Sequence, residues 1–275
     1  MRRFLRTETV LLAIGLLLPL LDLLLEAVGA RDWRIGNEVC QRVFVYAVLG
    51  LGLNVVVGYT GLLHLGIAAF MAIGVYAYAI LTCTIYPYQI GFWPAILVVP
   101  FIGAAAGLLL GAPTLRLRGD YLAIVTLGFG EIVQDVLKNV QSITKGTQGI
   151  NPLPSPGGAF TSSDYVPWYY LYLAVLVVLV LLVRNLERAR LGRQWMSIRE
   201  DELAATAMGI NPLRTKLLAF AIGAGLAALA GVLWASKLET TAEPTTYDFS
   251  MSITVLCLLI VGGLGSLKGV LAGAG

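Results

Sequence analysis

Four polar side chains in apolar surroundings are the first candidates for chemistry. In LGFGEIVQDVLKN, Glu131, Gln134, Asp135 and Lys138 fall on one face of a helix. A carboxylate or ammonium in the middle of a membrane span costs about 2.5–3.5 kcal/mol on insertion scales, so it normally faces protein or a wet cavity. Two roles suit such a face: the wall of a polar path, or a proton or cation relay. An outer-end cluster already emerging into water is a third reading, and it fits Asp135 and Lys138 better than Glu131. Other chemistries lack their residues. No phosphate-binding GxxxxGK[ST], no HExxH and no GxSxG is present. His64 is the only histidine, which excludes a multi-histidine metal centre. Cys40, Cys83 and Cys257 are odd in number and widely spaced, so neither a disulfide framework nor a metal site is indicated.

The elements that must position these residues are apolar. With 58% hydrophobic and 13% charged residues in 275 and a mean hydropathy of +0.82, the chain has more apolar surface than a soluble core can hide, so lipid is its solvent. A net charge of +3 gives no reason to invoke nucleic acid. A basic flank, MRRFLR, precedes an apolar run at 10–28, interrupted by Pro19, Asp22 and Glu26. It could be a secretory signal, but the spans that follow favour an uncleaved first helix. Further apolar runs lie at 43–57, 66–84, 92–111, 121–138, 166–183, 217–236 and 249–264. The expected architecture is all-α: one polytopic transmembrane bundle over residues 1–275, with about eight spans. Residues 139–167, rich in glycine and proline, are too long for a simple turn and read as an outer loop able to meet a partner.

Glycines 58, 61, 66 and 74 punctuate NVVVGYTGLLHLGIAAFMAIGVYAYA. They predict a break between two helices, and broken backbone at membrane depth is tolerated where protein or a water-lined path surrounds it. Gly58, Gly61 and Gly66, with Glu131, are therefore candidates for a translocation pathway. Ordinary small-residue helix packing is the alternative.

One long segment, GRQWMSIREDELAATAMGINPLRTK at 192–216, is polar. Ser197 followed three residues later by Glu200 predicts a capped helix over 198–208, stopped by Gly209 and Pro212. Leu203, Ala207 and Ile210 would share one side, leaving Ala204 and Ala205 as a low flank for another protein. With the first helix running outward, the inner connections carry lysine and arginine over the outer ones by about two to one, seven of them between Arg184 and Lys216. That places the segment in the cytoplasm.

The order Glu202, Ala204, Ala205, Gly209 resembles the coupling-helix signature of ABC importer permeases. Extended to GRQWMSIREDELAATAMGINPLRTKLLAFAIGAGLAALAG, the phrase resembles permease subunits of branched-chain amino acid importers of the LivM type. The glycine-punctuated stretch, LRLRGDYLAIVTLGFGEI and GGLGSLKG carry the same likeness over most of 49–274. Leu264 differs from the related urea permeases, where a basic residue is expected. His64 and Ile67 depart from the commoner pattern, an apolar or small residue at the first position and often a polar one at the second, which weakens any substrate role for either. The resemblance implies a transport subunit and not an enzyme, with no cofactor of its own and ATP consumed by partners. Those partners would be a homologous permease, two cytoplasmic ATPase subunits in contact with the coupling region at 184–216, an extracytoplasmic amino-acid-binding protein and membrane lipid. It implies the bacterial inner membrane, alternating access, and further hydrophobic sequence beyond Gly275, so that the chain is expected to be truncated. A urea or short-amide permease and a proton-coupled secondary transporter working through Glu131 and Asp135 are the alternatives.

Overall fold

The computed structural model describes residues 39–114, 120–157, 160, 165–241 and 243–275, which form helices and connections without strands. The apolar run at 10–28 and the turn with Arg116 and Arg118 lie outside the described residues. A π-helical turn at Val39–Val43 leads into α1 (Phe44–Leu53), which ends in a second such turn at Asn54–Gly58. After an irregular stretch at 61–66 comes α2 (Ile67–Thr82). Then follow α3 (Phe92–Thr114), α4 (Asp120–Asn139), the single turn α5 (Gln141–Thr144) and α6 (Tyr165–Arg188). The chain continues through α7 (Arg190–Glu200), α8 (Glu202–Ala207), α9 (Pro212–Leu238), α10 (Phe249–Gly262) and α11 (Leu267–Ala274). Each apolar run expected from residue 43 onward has its helix, and the break after Gly58 is present. Three of the helices, α3, α6 and α9, are long and apolar enough to cross a membrane; α1 with its π-turn, α2 and α10 are apolar but shorter.

The axis of the bundle is α9, which packs on α1, α2 and α3. Its sequence explains this: Gly223, Ala224, Ala227, Ala228 and Gly231 are buried and let other backbones approach on several sides. A Cβ on Gly74 of α2 would stand 2.3 Å from the Ala228 carbonyl oxygen, and one on Gly231 would stand 2.4 Å from that of Met71. The two helices therefore touch main chain to main chain, which dispersion rewards because no side chain intervenes. Tyr172 of α6 adds a hydroxyl that donates to the Leu233 carbonyl at 2.5 Å.

The two ends of the bundle differ. At one, the long connection after α5 is fastened to the segment following α9: Leu153 N–H donates to the Glu239 carbonyl at 2.9 Å and Ile150 N–H to Thr241 Oγ1 at 2.8 Å. The Tyr78 hydroxyl donates to the Pro154 carbonyl at 2.5 Å, so the connection also rests on the end of α2. At the other end lie α7, α8 and the turns that close α1 and α10.

Candidate functional site

The polar segment at 192–216 holds two helices and not the single one expected over 198–208. Ser197 is no cap: it lies inside α7, and its hydroxyl donates to the Arg193 carbonyl at 2.9 Å. The backbone breaks at Asp201, in extended conformation, whose Oδ1 accepts from the N–H groups of Leu203 at 2.8 Å and Ala204 at 3.0 Å. Asp caps as well as Ser, and its charge suits a helix N-terminus. Trp195 decides between them. It is fully buried, its ring stacks on Tyr59 at 6.3 Å, and its Nε1 donates to the Thr215 carbonyl at 2.8 Å. That anchor commits the residues around Ser197 to the helical interior.

The end of α8 is as expected. Gly209 adopts φ +85°; its N–H donates to the Thr206 carbonyl at 2.9 Å and the Ile210 N–H to the Ala205 carbonyl at 3.1 Å. This pair of bonds is a Schellman stop, and its positive φ explains the glycine. Asn211 then caps α9 by accepting from the Arg214 N–H at 3.1 Å.

Because the helix restarts at Asp201, its faces are rotated from those expected. Leu203 is 79% exposed and Met208 85% exposed, while Ala205 is 4% exposed and packed inward. Of the two alanines only Ala204 faces out. Glu202 is held by Lys216, carboxylate to ammonium 2.7 Å, which ties α8 to the start of α9. Beside this pair an open concavity is lined by Thr206, Gly209, Ile210 and Leu213. Leu203 and Met208 thus project with Ala204 between them as exposed apolar side chains on a helix fixed at both ends, in place of the low alanine flank expected.

The glycine candidates separate into contacts of different kinds. Gly58 is buried where α1 ends: a Cβ there would stand 2.0 Å from Asn54 Oδ1 and 2.8 Å from Gly265 N. Gly61 has φ +72° and lies against the Arg199 side chain, and a Cβ on Gly66 would stand 2.4 Å from the Thr126 carbonyl oxygen. Asn54, 0% exposed, accepts from the Gly265 N–H at 2.9 Å, and Arg199 Nη1 donates to the Gly58 carbonyl at 2.6 Å. Neither Asn54 nor Arg199 is among the candidate site residues above. Asn54 had a signal, a lone amide inside an apolar run. Arg199 had none.

Glu131 lies elsewhere. It is exposed on α4 and lines a small cleft with Leu65, Ala68, Tyr247, Asp248 and Ser252. Gly58, Gly61 and Gly66 are not among its walls. Of the polar face, Asp135 is exposed, whereas Gln134 is buried and accepts from Lys138 Nζ at 2.8 Å. His64 and Ile67 are buried and are not among the walls of this cleft; the imidazole centroid lies 4.9 Å from that of the Phe220 ring and 5.6 Å from that of Phe70.

Apolar helices packed around a small-residue axis, three of them long and apolar enough to cross a membrane, define a helical membrane protein. The chain belongs to the family described as "Branched-chain amino acid transport system / permease component", which it matches over residues 38–275. It is 44% identical to the High-affinity branched-chain amino acid transport system permease protein LivM of Escherichia coli, across 83% of this chain and 59% of that protein. It is 24% identical to the corresponding LivH protein of the same organism, across 83% of this chain and 78% of the relative. A match at 29% identity to the Autoinducer 2 import system permease protein LsrC of Enterobacter covers 63% of this chain and 50% of that protein. The chain thus spans 59% of the length of the LivM relatives from Escherichia coli and Salmonella typhimurium. No solved structure matches it.

Proposed function

We propose that this chain is the permease subunit of an ATP-driven importer in the bacterial inner membrane, carrying branched-chain amino acids by alternating access. The observation that carries the proposal is the α7–α8 plug, a fixed helix pair presenting Leu203, Ala204 and Met208 outward where a partner can seat. In this reading α8 rests in a groove of one of two cytoplasmic ATPase subunits, which bind and hydrolyse ATP; the permease holds no cofactor. Movement of the plug then rocks the spans about α9. A second, homologous permease completes the path and an extracytoplasmic amino-acid-binding protein delivers the substrate; the likeness to both LivM and LivH supports a paired arrangement. Eight spans result when the run at 10–28 and α4 are added to α1, α2, α3, α6, α9 and α10. The substrate class rests on the names of the relatives and on Leu264, where a urea permease would carry a basic residue.

A proton-coupled secondary transporter is the second reading, favoured by Glu131 and Asp248 lining one cleft. Uptake of labelled leucine into vesicles bearing the assembled importer separates the two. Uptake is expected to require ATP, to survive a protonophore at constant ATP, to change modestly on Glu131→Gln, and to be lost with ATPase co-purification on Ala204→Arg. Collapse under the protonophore, or wild-type uptake and co-purification in Ala204→Arg, would overturn the proposal.

A further inference from the structure

Three segments distant in sequence meet at one guanidinium. The turn at 58–66 closes α1, and the turn at 263–266 closes α10; VVGYTGLL and IVGGLGSL, the phrases that hold them, resemble each other. Both turns leave helical backbone, Gly61 at φ +72° and Gly265 at φ +80°. Leaving a helix strands its last carbonyls, which need donors from elsewhere. Arg199, on α7, supplies one: its Nη1 donates to the Gly58 carbonyl at 2.6 Å. The same nitrogen lies 3.0 Å from where a Cβ of Gly265 would stand, and the Gly58 oxygen 3.3 Å from it, so the two turns and the guanidinium are packed together. Asn54 completes the knot by accepting from the Gly265 N–H at 2.9 Å. The plug has a separate attachment to the spans through Trp195, which bonds Thr215 and stacks on Tyr59. The plug thus has an anchor to the spans that is independent of Arg199. Its side chain reaches past that anchor to the turns.

We propose that Arg199 is a positioning residue for transport, transmitting displacement of the plug to the paired glycine turns at the ends of α1 and α10. The proposal rests on the ATP-coupled reading above. Charge alone does not serve this role: a guanidinium offers a planar fork of donors on a stiff geometry, whereas an ammonium is a point donor on a flexible stem. Irregular turns suit the receiving side, because changes in φ and ψ at a few residues redirect the helices they end.

The test uses the assembled importer with its ATPases and binding protein, and reads co-purification, ATP hydrolysis and leucine uptake together. Arg199→Ala is expected to keep ATPase co-purification and basal hydrolysis within twofold of wild type while uptake per ATP hydrolysed falls at least tenfold. Arg199→Lys should recover part of that ratio. A residue with only a structural role would lower yield, hydrolysis and uptake in parallel and leave the ratio unchanged, and that result overturns the proposal. If Arg199→Ala fails to assemble, Gly265→Ala perturbs the same contact from α10 and must lower the ratio; a wild-type ratio there also overturns it. Failure of the underlying reading looks different: the unmodified chain would bring down no ATPase, or its uptake would collapse under a protonophore.

Discussion

Replacing Gly209 isolates the backbone of the plug from everything else. No atom lies within 4 Å of the position a Cβ would take, so a larger side chain there meets open space and the effect must come from conformation. The residue sits at φ +85°, in the left-handed region that costs an ordinary L-residue about 1–2 kcal/mol. Valine, branched at Cβ, cannot take it without greater strain. If it relaxes instead, the two bonds of the helix stop are lost, at about 0.5–1.5 kcal/mol each. The relaxed route caps the penalty for Gly209→Val at about 1–3 kcal/mol, which lowers the population of the formed plug by about 5-fold to 150-fold. Gly209→Ala should fall between, and Gly209→Asn, which reaches the left-handed region at small cost, should resemble wild type. Initial leucine uptake and ATPase co-purification in the intact importer are the measurements, with thermal stability in detergent as control. Melting should not move, since α8 lies outside the packed bundle. Wild-type uptake and co-purification by Gly209→Val would refute both the stop and its importance.

Two further predictions concern the bundle and its orientation. Gly74→Leu places a side chain where 2.3 Å separates a Cβ from the Ala228 carbonyl oxygen; overpacking of about 1–3 kcal/mol or more should lower the melting temperature in detergent by several degrees, and an unchanged value would count against the α2–α9 contact. In a cysteine-free background, Thr206→Cys should react with an impermeant thiol reagent only from the cytoplasm and Thr147→Cys only from outside, and labelling of both from one side would reject the proposed topology.

Features governed by neighbours in sequence were legible before the fold. Apolar runs became helices, and Gly209 before Pro212 ended α8 because a positive φ and a proline act locally. The start of α8 was not legible. Ser197 and Asp201 are both capping types, and the choice between them was made by Trp195, whose partners Tyr59 and Thr215 are remote in the chain. The misplaced start then reversed the faces, turning Leu203 out and Ala205 in. Glu131 stood out as a carboxylate within a span, but Asp248 beside it lay in what read as a polar connection. The Arg199–Gly58 and Asn54–Gly265 bonds join residues 141 and 211 positions apart, and no local pattern encodes such pairs.

The position of Glu131 bears on which face of the bundle meets a partner. On the same helix α4 exposes Tyr121, Ile124, Val125, Ile132 and Val136, and α10, whose first turns line the cleft, exposes Ile253, Ile260 and Val261. Those side chains alone would suit lipid. Glu131 does not, since a carboxylate facing hydrocarbon costs about 2.5–3.5 kcal/mol even on the most lenient scales. By contrast, the exposed face of α3, with Trp93, Leu97, Phe101, Ile102, Leu108 and Leu109, has no charged member and can lie against lipid at no such cost. On the proposed reading the α4 and α10 side is therefore the one turned to the second permease. α10 joins the two places: its first turns, with Phe249 and Ser252, line the cleft beside Glu131, and the turn that closes it meets Gly58 and Arg199, so on the proposed reading a displacement of the plug would reach that cleft through a single helix.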